Sequence, residues 1–468
     1  MHLITQRLIA TLFLSLLIVP VSGVISSDGS QHPGAAWAQD SDDDDDSDDD
    51  SGDDDSGDDD SDDNSDDYSD DDDYRNGGSG NDRDRRPRRQ QTVSQPSPPP
   101  PLNAPDEVVV TDLAPETLAI LQGEGFTLIA EEQFGNLGLA VTRLSVPAGL
   151  GLEAARARVR ALPGGEDADF NHFYRPEQSG DAAACAPENC AALDLISWPV
   201  ERPETCRVTL PVGMIDTGVN AAHDILTGAR LDVVRMADAG LDPSAAVHGT
   251  AVASLLIGTE GSRVPGLIRE AEVIAVDVFS KEGSDERADV TALLRGLDVL
   301  NARGVRVMNL SLAGPENGVL DAALDRMTGP EGSVIVAAAG NAGPDAPPAW
   351  PAAHPGVLAV TAVDARGRVY RGAQRGGHID LAAPGVGLLA ATSIRGARGK
   401  TGTSYAVPFV TAAAAVMLSQ DPTLTPAMVA ERLKARARDI GAEGPDEVFG
   451  AGLLDTATLC SDVQTPTE

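Results

Sequence analysis

Val212-Gly213-Met214-Ile215-Asp216-Thr217-Gly218 reads as an apolar strand that ends in a carboxylate, the place where α/β sheets carry their reactive groups. Alone the signal is weak, because an Asp at a strand end is more often a turn or helix cap. Working outward, strand patterns recur at 208–215, 231–236, 272–279, 305–310, 333–339 and 357–363, with helical stretches between most of them. This alternation predicts an α/β fold, a doubly wound and mainly parallel sheet with helices on both faces and ligands beyond the carboxyl ends of its strands. A last helix is expected with Thr425 as N-cap, Pro426 in its first turn, and Val429, Leu433 and Ala437 along one face. Residues 177–468 are numerous enough to bury one sizeable core.

Two further segments change the weight of Asp216. In His248-Gly249-Thr250-Ala251-Val252-Ala253-Ser254 a histidine opens an apolar helix, and Gly249 permits close backbone packing. None of the chain's other six histidines sits at such a start. In Gly402-Thr403-Ser404-Tyr405-Ala406-Val407-Pro408 a turn runs into a helix and exposes a hydroxyl at its N-terminus. Singly, such a His is more often structural and such a Ser more often an N-cap. Jointly they make a chemical set. A hydroxyl is a poor nucleophile at neutral pH, an imidazole can take its proton, and a carboxylate can fix the imidazole tautomer.

With these segments in the order Asp, His, Ser, residues 200–460 resemble the subtilisin-like serine peptidases, the subtilases. Asn309-Leu310-Ser311-Leu312 resembles the family's substrate-binding strand, Ala337-Ala338-Ala339-Gly340-Asn341 its oxyanion segment, and Phe449-Gly450-Ala451-Gly452-Leu453-Leu454-Asp455 its closing turn. The resemblance implies a subtilisin-like serine endopeptidase with Asp216, His248 and Ser404 as triad, and Asn341 with the Ser404 backbone N–H as oxyanion donors. It implies that substrate adds as a strand along Ser311, Leu312, Ala313 and Gly314. Ala338 and Gly340 are then expected in the wall of the primary pocket, for which an apolar side chain is the expected occupant. The sequence departs from the family at Ala251 and Ser254, where a second His and a Gly are common, and at Tyr405, Val407 and Phe409. Ala313 stands where Gly is usual and adds a methyl beside the substrate channel. None of these changes removes a catalytic group. The chemistry requires no cofactor; the family often carries structural calcium, for which no ligands are assigned here.

Upstream, residues 106–176 carry strand patterns at 108–111, 126–134, 139–146 and 169–174 and helix patterns at 115–121 and 152–162. Their order is that of a small α+β ferredoxin-like unit. The resemblance makes this unit a prodomain that assists folding and then inhibits. Its end at Tyr174-Arg175-Pro176 would lie in the active site, with self-cleavage close to Glu177 and 177–468 as the catalytic domain.

Residues 1–38, with Arg7 ahead of an apolar run over 8–19 and the small-x-small pattern Ala36-Trp37-Ala38, read as a signal peptide. Cleavage near Gly23, or retention as an anchor, are the alternatives. The run is short for a membrane span, and later apolar stretches are broken by Gly, Pro and charge. A secreted or periplasmic protein is therefore expected. Well over half of the net charge of -38 lies between Asp40 and Asp73, within the segment 39–105 that is read as disordered spacer. A basic cluster over 83–89 and a stiff Pro-rich linker over 96–101 follow. So acidic a chain does not suit nucleic acid. Four cysteines fit an oxidising compartment and two disulfides; of three pairings, Cys185 with Cys190 and Cys206 with Cys460 is preferred, since the second ties the ends of one domain. The expected partners are protein or peptide substrates and the chain's own prodomain, with no nucleic acid and no stable membrane span. A competing reading, a catalytically silent or cation-binding surface protein using the Asp-rich tract, leaves the triad unexplained.

Overall fold

The computed structural model describes residues 99–177, 189–236 and 240–461. The signal peptide, the Asp-rich tract, the basic cluster and Cys185 fall outside these residues.

The first part follows the expected order: β1 (Asn103–Thr111), α1 (Pro115–Gly123), β2 (Thr127–Phe134), β3 (Leu139–Ser145), α2 (Leu152–Arg160) and β4 (Asp169–Pro176). Its strands pair antiparallel in the order β2-β3-β1-β4. Side chains alternate across such a sheet. Val108, Val110 and Leu144 pack with Leu121, Phe126 and Val159 under the two helices. Val109, Phe134, Leu139 and Val141 face the other way and join a core shared with the larger part. The four-stranded sheet is thus covered on both faces, and its second cover is the rest of the protein.

The larger part runs through α3 (Cys190–Leu195), β5 (Val212–Asp216), β6 (Arg230–Arg235), β7 (Asp242–Pro243), α4 (Val247–Ile257) and β8 (Glu272–Asp277). A hairpin of β9 (Ser280–Glu282) and β10 (Asp285–Asp289) leads to α5 (Val290–Ala302), β11 (Val307–Leu310), β12 (Leu312–Ala313) and α6 (Gly318–Met327). Then come β13 (Val334–Ala338), β14 (Val357–Val363), β15 (Leu381–Pro384), β16 (Leu388–Ala391), β17 (Ala397–Lys400), α7 (Thr403–Gln420) and α8 (Pro426–Arg436). Seven strands form a parallel sheet in the order β15-β14-β13-β11-β5-β8-β6. Met214 and Ala338 point into the core beneath α4 and α7, whereas their neighbours Ile215 and Ala337 point to α5 and α6. This is the two-sided cover that apolar parallel strands require. α7 is apolar all round and buried along nearly its whole length, as a helix in the centre of a core must be.

Several expected bounds shift for identifiable reasons. The strand expected at 208–215 begins only at Val212, after Pro211, which has no N–H to give a ladder. That expected at 272–279 stops at Asp277, whose carboxylate turns the chain by accepting the Phe279 N–H (3.1 Å). Thr425 caps α8 as expected, accepting the Met428 N–H at 3.2 Å, and Ala437 lies just past the helix end. Cys206 and Cys460 form a disulfide with Cα atoms 5.3 Å apart. Cys190, at the start of the short helix α3, is exposed with a free thiol; the partner expected for it, Cys185, lies outside the described residues. No helix among the described residues is long and apolar enough to cross a membrane.

Candidate active site

β5 delivers Asp216 to the carboxyl edge of the sheet, where it is fully buried. One carboxylate oxygen is fixed by the Thr217 N–H (2.7 Å) and meets His248 Nδ1, also at 2.7 Å. His248 lies in the first turn of α4 and is 1% exposed. Its approach depends on Gly249. A Cβ there would lie 2.3 Å from the Thr217 carbonyl oxygen, and the Gly249 N–H is bonded to Thr217 Oγ1 (2.9 Å). The sequence expectation of close packing at this glycine is therefore a contact between the Asp216 turn and the first turn of α4.

Ser404 opens α7 after Gly402, whose φ of 150° lies in the region that favours glycine. Its carbonyl accepts from Ser311 Oγ (2.9 Å), which accepts from Asn309 Nδ2 (2.9 Å), and Asn309 Oδ1 accepts from Thr411 Oγ1 further along α7 (3.3 Å). The Ser404 hydroxyl donates to the carbonyl of Glu177, the residue after β4, at 3.0 Å; the Ser311 carbonyl is a second acceptor at 3.3 Å. Asn341 reaches the same Glu177 oxygen with Nδ2 at 3.4 Å. Its amide cannot be reversed, because Oδ1 accepts both the Thr403 N–H (3.0 Å) and Thr403 Oγ1 (3.1 Å).

Two of the expected side chains, Ser404 and Asn341, thus gather about one peptide carbonyl, but the triad is not closed by hydrogen bonds. His248 Nε2 is buried without a partner, while the Ser404 hydroxyl is turned to Glu177. The imidazole lies against Tyr405, the residue after Ser404, with ring centroids 5.5 Å apart. Burial tends to lower the His248 pKa; the carboxylates of Asp216, Glu177 and Glu286 outweigh it, and the net direction is upward. Burial also raises the pKa of the Glu177 side chain, against the opposing influence of Asn341 and His248.

The expected substrate edge carries β4. Leu312 pairs with Pro176 and Ala313 with Arg175, antiparallel, and the Glu177 N–H points to the Ser311 carbonyl at 3.4 Å. On its other side β4 pairs with β10, Ala288 with Tyr174 and Asp289 with Phe173. Gly314 takes no part in this ladder, since both its backbone groups bond to Trp350 at 2.9 Å. It serves instead as the floor under Tyr174, whose ring would lie 2.3 Å from a Cβ at that position. Ala338 turns into the core below α7, so its side chain does not act as the expected pocket wall. Gly340 is backed closely by the Gln374 amide. The residue that presents its carbonyl here is Glu177. Residues 280–289, including Asp285 and Glu286, escaped the sequence reading because their run of charges carries no apolar alternation. Among the described residues no group of three or more His, Cys, Asp or Glu is arranged to hold a metal, and none is assigned to calcium.

The sequence profile of the subtilase family matches residues 209–452. The chain belongs to the subtilase family. It is accordingly a subtilisin-like serine endopeptidase, of a kind that needs no cofactor for catalysis. The subtilase portion is 31% identical over 250 residues to subtilisin DY of Bacillus licheniformis, covering 52% of this chain and 88% of that protein. It is 28% identical to the minor extracellular protease Epr of Bacillus subtilis (strain 168) over 256 residues, 54% of this chain but only 39% of that longer relative. Among solved structures, fervidolysin from Fervidobacterium pennivorans matches with a TM-score of 0.60 at 20% identity, covering 78% of this chain and 62% of that one. That likeness extends the shared subtilase fold beyond the sheet and its helices.

Proposed function

We propose that Ser404 is the nucleophile, His248 the general base, Asp216 its anchor and Asn341 an oxyanion donor, and that their first substrate is the chain's own peptide bond after Glu177. The observation that carries this reading is the convergence of Ser404 Oγ and Asn341 Nδ2 on the Glu177 carbonyl oxygen, at 3.0 and 3.4 Å. Rotation of the hydroxyl toward the unpartnered His248 Nε2 completes the triad. Oγ then attacks the Glu177 carbonyl carbon as its proton passes to Nε2, and negative charge collects on the oxygen that faces Asn341. As the intermediate collapses, Nε2 protonates the departing nitrogen of Gln178, and Glu177 is left as an ester on Ser404. Water, deprotonated by His248, frees it. Asp216 holds the Nδ1 proton throughout and stabilises the imidazolium.

In this reading 106–176 is a prodomain. Its last strand occupies the substrate edge as a product would, which makes it an inhibitor after the cut. Export through the N-terminal signal fits the habit of the family and the cysteine pairing. The test is mass spectrometry of purified full chain beside Ser404→Ala. The parent is expected to show a new N-terminus at Gln178 and to take a fluorophosphonate label, whereas the variant stays intact and unlabelled. A Ser404→Ala chain that matures unaided would overturn the assignment.

A further inference from the structure

The strand that fills the substrate edge also displays what each subsite accepts, and one subsite carries charge. Counting back from the carbonyl at Ser404, Glu177 is first, Pro176 second, Arg175 third and Tyr174 fourth. Alternation along the strand sends Pro176 and Tyr174 into the protein and leaves Arg175 and Glu177 partly exposed on the other side. Arg175 does not simply point to water. Its guanidinium grips Asp285 with two parallel bonds, Nε to Oδ1 at 2.8 Å and Nη2 to Oδ2 at 2.9 Å. The two side chains are 24% and 18% exposed, so the pair is partly shielded.

Asp285 belongs to β10, on the enzyme side of the cut proposed above. Its carboxylate is positioned independently of Arg175, because Arg287 Nη1 also holds it at 2.7 Å. On the enzyme side Arg287 in turn is steadied by Glu282; the Phe173 ring, 4.0 Å from its guanidinium, belongs to β4 and leaves with it. With β4 in place Arg175, and to a lesser degree Arg287, draw the Asp285 pKa below the usual carboxylate range against the opposing effect of burial. Arg175 has one further bond, to the Pro101 carbonyl (2.7 Å), which leaves with the N-terminal segment. A peptide bound in its place would keep only the contact to Asp285.

We propose that Asp285 makes the third subsite of the mature enzyme select a basic side chain, arginine above lysine, in protein and peptide substrates. The proposal rests on the catalytic reading, since the numbering of subsites depends on Ser404 attacking after residue 177. Arginine is favoured because its planar fork matches both oxygens of one carboxylate, whereas lysine offers a point charge.

The test uses mature enzyme obtained from the full chain and quenched peptides built on Tyr-Xaa-Pro-Glu, with Xaa as Arg, Lys, Gln or Glu. Ratios of kcat/KM are taken within each preparation, which removes differences in yield. The expected result is an Arg-to-Gln ratio on the order of tenfold, the size of one partly shielded bidentate ion pair, with Lys between and Glu lowest. Asp285→Asn is expected to bring the Arg peptide down to the level of the Gln peptide, and Asp285→Glu to restore part of the preference. Asp285→Lys should turn the order toward Glu. Equal rates for Arg and Gln in an enzyme that labels normally at Ser404, or a preference that survives in Asp285→Asn, would overturn the subsite proposal alone. A parent that cuts no peptide and takes no label would overturn the catalytic reading, and the subsite with it.

Discussion

Asn341 and Glu286 show how single residues would set the proposed chemistry. With its oxygen tied twice to Thr403, the Asn341 amide can only present N–H to the carbonyl at the nucleophile. Asn341→Ala is expected to lower kcat by about two to three orders of magnitude with KM little changed. That size is taken over from subtilisin's own oxyanion asparagine, not obtained from these distances, and steady-state kinetics on one peptide checks it. Glu286 acts at longer range, through charge. It is one of the carboxylates that raise the His248 pKa, after Asp216 and Glu177. His248 must be neutral to accept the serine proton, so activity falls as pH drops through its pKa. Removing a nearby negative charge makes the imidazolium less favourable and lowers that pKa. Glu286→Gln should therefore move the acid limb of the kcat/KM profile to lower pH. An unmoved or raised limb would show that Glu286 does not act on His248.

At the scale of elements, β4 decides whether the edge is free. Its His172 is buried against Asn317, the N-cap of α6. Asn317 Oδ1 is committed to the N–H groups of Val319 (3.0 Å) and Leu320 (3.1 Å), so its Nδ2 must face His172 Nδ1 at 3.0 Å. Nδ1 is thereby an acceptor and the ring is neutral. Burial depresses the His172 pKa below 6.5, with Asp169 opposing and Arg156 assisting. The docked strand then binds fewer protons than the released one. Docking is at full strength above the free pKa and weakens as pH falls through 6.5 toward the depressed docked value. Glu177 has the opposite sign: burial raises its pKa, so its contribution is present at low pH and is lost as pH rises through the raised value. Replacing His172 by Asn should flatten the loss of inhibition between neutral and mildly acid pH when the cleaved segment is titrated onto mature enzyme. The same slope in both proteins would sink this account.

How far β4 and its neighbours could be read beforehand follows from the same physics. The strand, helix, strand, strand, helix, strand order of 103–176 was legible because each element has its own apolar period, and the proposed triad could be named because its three motifs are short and local. The landing of Glu177 at Ser404 was expected near that residue only through family resemblance. β10 was illegible: Asp285-Glu286-Arg287-Ala288-Asp289 has almost no apolar signal, since the strand is held by ladder bonds and ion pairs to partners far away in the chain. Subsite identity was beyond reach for a related reason. The expectation of an apolar primary residue rested on the small side chains near Gly340, and one of them, Ala338, belongs to the core below α7.

Across the whole molecule, the Cys206–Cys460 bond joins the segment just ahead of β5 to the chain beyond the closing turn, a separation of 254 residues. Cys206 is fully buried in the core that contains α4 and α7, and Cys460 packs at its edge. A crosslink over so long a loop removes much freedom from the unfolded chain, about 5 kcal/mol by loop entropy, with 2–5 kcal/mol typical of native bonds. For a domain of this size each kcal/mol corresponds to roughly 2–4 °C in Tm. Replacing both cysteines by Ser is therefore expected to lower Tm by about 5–20 °C. Self-digestion of unfolded molecules would blur this comparison in an active protease, so both proteins should carry Ser404→Ala. If the bond constrains the unfolded chain as argued, dithiothreitol should lower the Tm of the parent to that of the double Ser variant and leave the variant's own Tm in place. A shift under about a degree on either route would mean that the core alone holds the two ends together.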